Sequence, residues 1–313
     1  IDALGRLLLL WPDPKTPFKG ELAVPKRAAW SAPLPLQDVK SIGRELGGTV
    51  NDVLLTAMTG ALRRYLQGRE ETVKGLNFRT IVPVNLRRPG TEAELGNKFG
   101  LVFLSLPVGI ADPSKRLQEL KRRMDALKGS LQAPVTFGIL GTIGGSPERI
   151  QNIVVSIFGT KGTTIMTNVI GPKEELYLAG APLEAIMFWV PQSGQMGLGV
   201  SILSYAGQVW LGVITDEGLV PDPEAIITAF HSEFEELLAM TEGQEKPSSI
   251  VEMSTMLDDA IAALDQMLQE RAKAISPPQK EAPNRCQALT KAGTRCKNRP
   301  LPNSQFCRVH QES

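Results

Sequence analysis

Few side chains in this 313-residue sequence can act as a neutral-pH base, a thiol nucleophile or a soft metal ligand: two histidines and three cysteines. General-base work near neutrality favours imidazole, whose ordinary pKa lies close to the working pH. His231 sits in AFHSEFEE and His310 in CRVHQES. His231 follows Ile227 by four residues and precedes Phe234 by three, the spacing of a helical packing face, with Glu233 and Glu235 near enough to tune it. We read it as a packing or surface histidine. Ser193, in VPQSGQMG, lacks the G-x-S-x-G turn that exposes a hydrolase serine.

His310 keeps different company. Cys286, Cys296, Cys307 and His310 are separated by nine, ten and two residues, and no cysteine occurs before position 286. Three thiolates and one imidazole satisfy tetrahedral Zn2+, so these four residues are the expected ligands of a structural zinc ion. A segment this short cannot build its own apolar core, and metal ligation would supply much of its folding energy. Six basic residues and no acidic one lie between Arg285 and His310, which makes nucleic-acid contact the alternative role for this tail. A single aromatic, Phe306, offers little for base stacking.

A third feature is the polar pair Asn51-Asp52 in GGTVNDVLLTAMTGALRRYL. Thr49 as N-cap with Asp52 three residues later makes a capping-box pattern, and the carboxylate suits the positive end of the helix dipole. The cap accounts for Asp52 and leaves Asn51 unexplained.

Elements must hold these groups in place. Six prolines between Pro12 and Pro35 exclude regular helix and suggest an extended arm laid on a surface. A short helix is expected over 36–46 and a longer one from Val50 to Leu66, where apolar residues recur at steps of three, four and seven. FRTIVPVNLR (78–87) and NKFGLVFLSLPV (97–108) read as strands, and 112–130 as a helix capped by Asp112 with Pro113 at its first position. After a glycine-interrupted apolar region, TTIMTNVIGP (163–172) reads as a strand ending in a turn. LEAIMFWVP, GLGVSILSY and QVWLGVITD read as three further strands, the last two joined as a hairpin at Ala206 and Gly207, and residues 222–240 as a closing helix. Polar linkers flank an amphipathic helix near 250–271, whose acidic polar face favours docking to protein over anionic lipid.

Composition narrows the partners. With 34 basic and 33 acidic residues the formal charge is +1, so no global field draws the chain to nucleic acid or an anionic membrane. No window approaches the roughly 18 apolar residues of a spanning helix. Leu7–Trp11 is short and lacks a basic leader, so a start within a longer protein is expected. A cysteine-free main body fits a reducing, cytoplasmic setting, with contact to a membrane or lipid droplet at most peripheral.

In order along the chain, GGTVNDVLL, PVNLR (83–87), GNKFG (96–100), TNVIGP (167–172) and the hairpin over 200–216 resemble the C-terminal half of the wax ester synthase/acyl-CoA:diacylglycerol acyltransferase family. The resemblance covers about residues 1–240. It implies a chloramphenicol acetyltransferase-like fold: a mixed α/β (α+β) half with a mixed sheet packed by helices, followed by a helical linker (241–284) and a small metal-binding tail (285–313). It also implies a reaction, in which a His of an HHxxxDG motif takes the proton of a long-chain alcohol or diacylglycerol as its oxygen attacks the thioester of acyl-CoA. Neither histidine here lies in that motif, so no catalytic residue is expected in this chain. The base would belong to an N-terminal half, in the same protein or a separate one, with Asn51 and Asp52 in support. Arg79, Arg87 and Arg88 are candidates for the phosphates of coenzyme A. The alternative is a non-catalytic lipid- or protein-binding remnant.

Overall fold

The computed structural model describes residues 11–87, 98–143, 147–242 and 285–310. Leu7–Leu10, Arg88 and the helix expected near 250–271 lie outside the described residues. The chain divides into two compact units, Ile1–Gln244 and Glu245–Ser313.

In chain order the first unit contains β1 (Lys26–Trp30), β2 (Leu34–Pro35), α1 (Leu36–Leu46), α2 (Val50–Gly68), β3 (Phe78–Asn85), β4 (Phe99–Leu106), α3 (Pro113–Lys128), α4 (Gln132–Ile143), α5 (Glu148–Lys161), β5 (Thr164–Ile170), β6 (Tyr177–Leu178), β7 (Ala181–Pro182), β8 (Leu198–Tyr205), β9 (Gln208–Asp216) and α6 (Pro223–Glu242). Among the described residues a seven-stranded mixed sheet runs β1-β9-β8-β5-β3-β4, with β2 also paired to β9. β3, β5 and β8 are mutually parallel neighbours, and the remaining pairs are antiparallel.

Helices α1, α2, α3 and α6 cover one face. Their Val39, Leu54, Met58, Leu117, Phe230 and Leu237 form one core with Phe78, Leu104, Met166, Val200, Ile202 and Val213 of the strands. The helix α2 is buried nearly all round from Asp52 to Leu62, because no charge interrupts VLLTAMTGAL between Asp52 and Arg63. Gly60 lies where the buried Arg116–Glu233 ion pair crosses α2, and a Cβ there would stand 2.0 Å from Arg116 Nη1 and 2.1 Å from Glu233 Oε2.

The other face is covered differently, and here the sequence expectations need correction. The glycine-interrupted apolar region, to which the sequence assigns no element, contains the two helices α4 and α5. Helix α4 shields the free edge of β4: Leu101 N donates to Thr136 Oγ1 at 2.7 Å and Phe103 N to Gln132 Oε1 at 3.2 Å. Gly100 permits this approach, since a Cβ on it would lie 2.0 Å from the carbonyl oxygen of Ala133. LEAIMFWVP (183–191) forms no ladder strand. It lies across the sheet face, where Ser201 Oγ donates to the carbonyl of Phe188 at 2.6 Å. The proline-rich arm lies on the surface as expected, yet it also contributes β1 and β2 to the sheet and buries Phe18 completely against Tyr65 and Phe78.

Candidate functional site

Side-chain alternation along β5 sends Met166 and Asn168 toward the helices and Ile165 and Thr167 toward the opposite face. The start of α2 comes down beside the carboxyl end of β5. There Asn168 Nδ2 donates to Asn51 Oδ1 at 3.2 Å. The adjoining capping box is complete: Thr49 N and Thr49 Oγ1 both donate to Asp52 Oδ2, at 2.9 and 2.7 Å, while Asp52 N donates to Thr49 Oγ1 at 3.3 Å. Asp52 is fully buried, and its second oxygen, Oδ1, has no hydrogen-bond partner among the described residues. Asp52 therefore anchors the helix end, and Asn51 faces out of the cap to bridge helix and sheet.

The same sheet end gathers the other distinctive segments. PVNLR ends β3, and Phe99 and Gly100 of GNKFG begin β4, paired through Asn85 and Phe99, while Gly96 and Asn97 lie outside the described residues. TNVIGP ends β5, where Gly171 N donates to Ser204 O at 2.9 Å and Ala206 N to Pro172 O at 3.1 Å, closing the turn onto the β8-β9 hairpin. Five segments dispersed from residue 47 to 216 thus meet at the carboxyl end of three parallel strands, where open α/β sheets place their ligands. On the face away from the helix core, a cavity of about 400 Å³ is lined by apolar side chains including Ile81, Pro83, Leu101, Ile165, Trp189 and Val190. The outer rim of this sheet end is also apolar, with Val169, Ile170, Tyr177 and Leu178 exposed.

Other sequence candidates are engaged elsewhere. Arg79 donates Nε to Asp13 at 2.8 Å and Nη2 to the carbonyl of Trp11 at 2.6 Å, pinning the arm in place of a coenzyme A phosphate. Arg87 follows β3, where its backbone N donates to Asn85 Oδ1 at 3.0 Å. His231 is half-buried on α6 with its ring 6.0 Å from that of Phe230. The neighbouring Glu233 is taken by Arg116 and Arg64. Asn168 lies inside TNVIGP with nothing in its own neighbourhood to mark it, because its pairing with Asn51 is a contact between residues 117 apart in the chain.

In the second unit Cys286, Cys296, Cys307 and His310 converge, with their ligand atoms all within 4.8 Å of one another. Cys307 and His310 share one turn, the 3₁₀ helix Arg308–His310, and His310 N donates to Cys307 O at 2.9 Å. Residues 288–295 fold back through the Leu289–Arg295 bridge to bring Cys296 beside them. Burial opposes ionisation of Cys307, but hydrogen bonds from the Val309 backbone and from His310, Asn298 and Cys286 outweigh it and lower the thiol to about 6.

Residues 95–238 match the model of the WS/DGAT C-terminal domain. A Mycobacterium tuberculosis protein named for diacylglycerol O-acyltransferase activity is 27% identical over 248 residues, covering 75% of this chain and 48% of its own length. Wax ester synthase/diacylglycerol acyltransferase 11 of Arabidopsis thaliana is 29% identical over 242 residues, 67% of this chain and 48% of its own. The chain thus spans about half the length of these relatives. Among solved structures, the wax ester synthase/diacylglycerol acyltransferase of Marinobacter aquaeolei VT8 superimposes with a TM-score of 0.58 at 20% identity, over 77% of this chain and 55% of that one. At that identity the likeness establishes a shared fold, the chloramphenicol acetyltransferase-like arrangement.

Proposed function

We propose, from the match of residues 95–238 to the WS/DGAT C-terminal domain model, that the chain supplies the C-terminal half of an O-acyltransferase. The enzyme would move an acyl group from acyl-CoA to a long-chain alcohol or diacylglycerol. The observation that carries this reading is the meeting of five family-like segments at one end of the sheet, centred on the Asn51–Asn168 bond.

The chemistry divides between two halves. The acceptor oxygen forms a bond to the thioester carbonyl carbon, its proton passes to a base, and the thiol of coenzyme A leaves with a proton returned from that base. An HHxxxDG-bearing N-terminal half supplies the base, since His231 and His310 stand in other settings. This chain positions. Asn51 and Asn168 fix the start of α2 against β5, Asp52 holds the helix end, and the apolar cavity suits a hydrocarbon chain better than a polar group. The exposed rim at Val169, Ile170, Tyr177 and Leu178 offers the other half an apolar seat.

No helix among the described residues is long and apolar enough to cross a membrane. Acceptors of this kind concentrate at lipid surfaces, so peripheral contact with a membrane or lipid droplet belongs to the reading. Acyl transfer measured with and without an HHxxxDG-bearing half tests it. A verified complex that turns nothing over would favour a non-catalytic lipid- or protein-binding domain.

A further inference from the structure

We propose that residues 285–310 hold one structural Zn2+ through Cys286 Sγ, Cys296 Sγ, Cys307 Sγ and His310 Nδ1, and that this ion is what gives this segment its fold.

The spacing of the donor atoms is the first support. A zinc ion with Zn–S near 2.3 Å and Zn–N of about 2.0–2.1 Å defines a tetrahedron whose S···S edges are about 3.8 Å and S···N edges about 3.5 Å. Cys296 Sγ and Cys307 Sγ stand 3.8 Å apart, Cys286 Sγ and His310 Nδ1 3.6 Å, and Cys307 Sγ and His310 Nδ1 3.4 Å. A disulfide would require sulfurs about 2.05 Å apart.

Burial is the second support. The only buried side chains described in this unit are the three cysteines, with Ala288 packed against them. Leu289, Phe306 and Val309, which could have built an apolar core, are exposed. Three thiols and one methyl group cannot offset the ordering of this segment, so a metal bond must replace the missing core.

The surroundings suit thiolates. Cys307 N donates to Cys286 Sγ at 3.2 Å, and Asn298 Nδ2 points at Cys307 Sγ from 3.8 Å. Such donors stabilise negative sulfur and fix the ligands around the ion. Four protein ligands close the coordination shell, leaving no position for water or substrate, so the ion is structural.

The test uses the full chain, produced without a polyhistidine tag, with zinc measured by mass spectrometry. One ion per wild-type chain is expected and none in Cys296→Ser or Cys307→Ser, while retained tryptophan near-UV signals show the first unit still folded. Two measurements need only the wild type. Cobalt exchanged into the site should show the intense visible absorption of tetrahedral thiolate ligation. Because every cysteine in the sequence belongs to the cluster, three thiols should resist a thiol reagent until a chelator is added. The proposal is overturned by a zinc-free wild type that gives no tetrahedral cobalt spectrum, or by a disulfide between two of the three cysteines.

Discussion

Asn51 at the start of α2 accepts a 3.2 Å hydrogen bond from Asn168 near the end of β5, across 117 residues of sequence. Neither residue is needed to satisfy the helix cap, which Thr49 and Asp52 complete between themselves. The bond therefore serves to register the helix start against the sheet end.

In an assembled acyltransferase, Asn51→Ala should lower kcat/KM about 5- to 10-fold, the worth of one hydrogen bond of roughly 1 kcal/mol. Asn168→Ala should do the same, and the double variant should lose little more, since both remove one interaction. Additive losses in the steady-state rates would show that the two side chains act separately.

Asp52→Ala should act on stability instead. It removes the acceptor for two Thr49 donors at a fully buried position, with an expected cost of about 1–2 kcal/mol in urea unfolding. Thr49→Ala in the same background should add less than it does alone. An unchanged unfolding midpoint for Asp52→Ala would remove its anchoring role.

Glu233 joins three elements, accepting from Arg116 on α3 and Arg64 on α2 while itself lying on α6. Glu233→Gln leaves the Arg116 guanidinium buried without its counter-charge, a change of about 3 kcal/mol or more. Gly60→Ala should be comparably damaging, because its methyl group would occupy the crossing point of the pair. Equilibrium denaturation of both variants checks this; a loss below about 1 kcal/mol in each would show the pair to be dispensable.

Much of this architecture was legible in residue patterns. Local signals sufficed where one short window holds all the information: Thr49 and Asp52 in the capping box, Asp112 and Pro113 at the start of α3, and Ala206-Gly207 in the hairpin. They failed where a distant partner decides. The region around α4 has no polar stripe to mark a helix, and Thr136 and Gln132 show their purpose only once the edge of β4 is beside them. LEAIMFWVP has strand composition, but it lies across the sheet face, where the Phe188 carbonyl accepts from Ser201, and joins no strand edge. Arg79 looks like a free cation until Asp13 of the arm is brought against it. Asn168 gains meaning only from Asn51.

The central claim, that this chain supplies the positioning half of an acyltransferase, is tested most directly by following labelled palmitate from palmitoyl-CoA to hexadecanol. No ester is expected from this chain alone, ester is expected from its purified complex with an HHxxxDG-bearing half, and that product should be lost when the histidines of the motif are replaced by alanine. Ester made by this chain alone, or none from a verified complex, would contradict it.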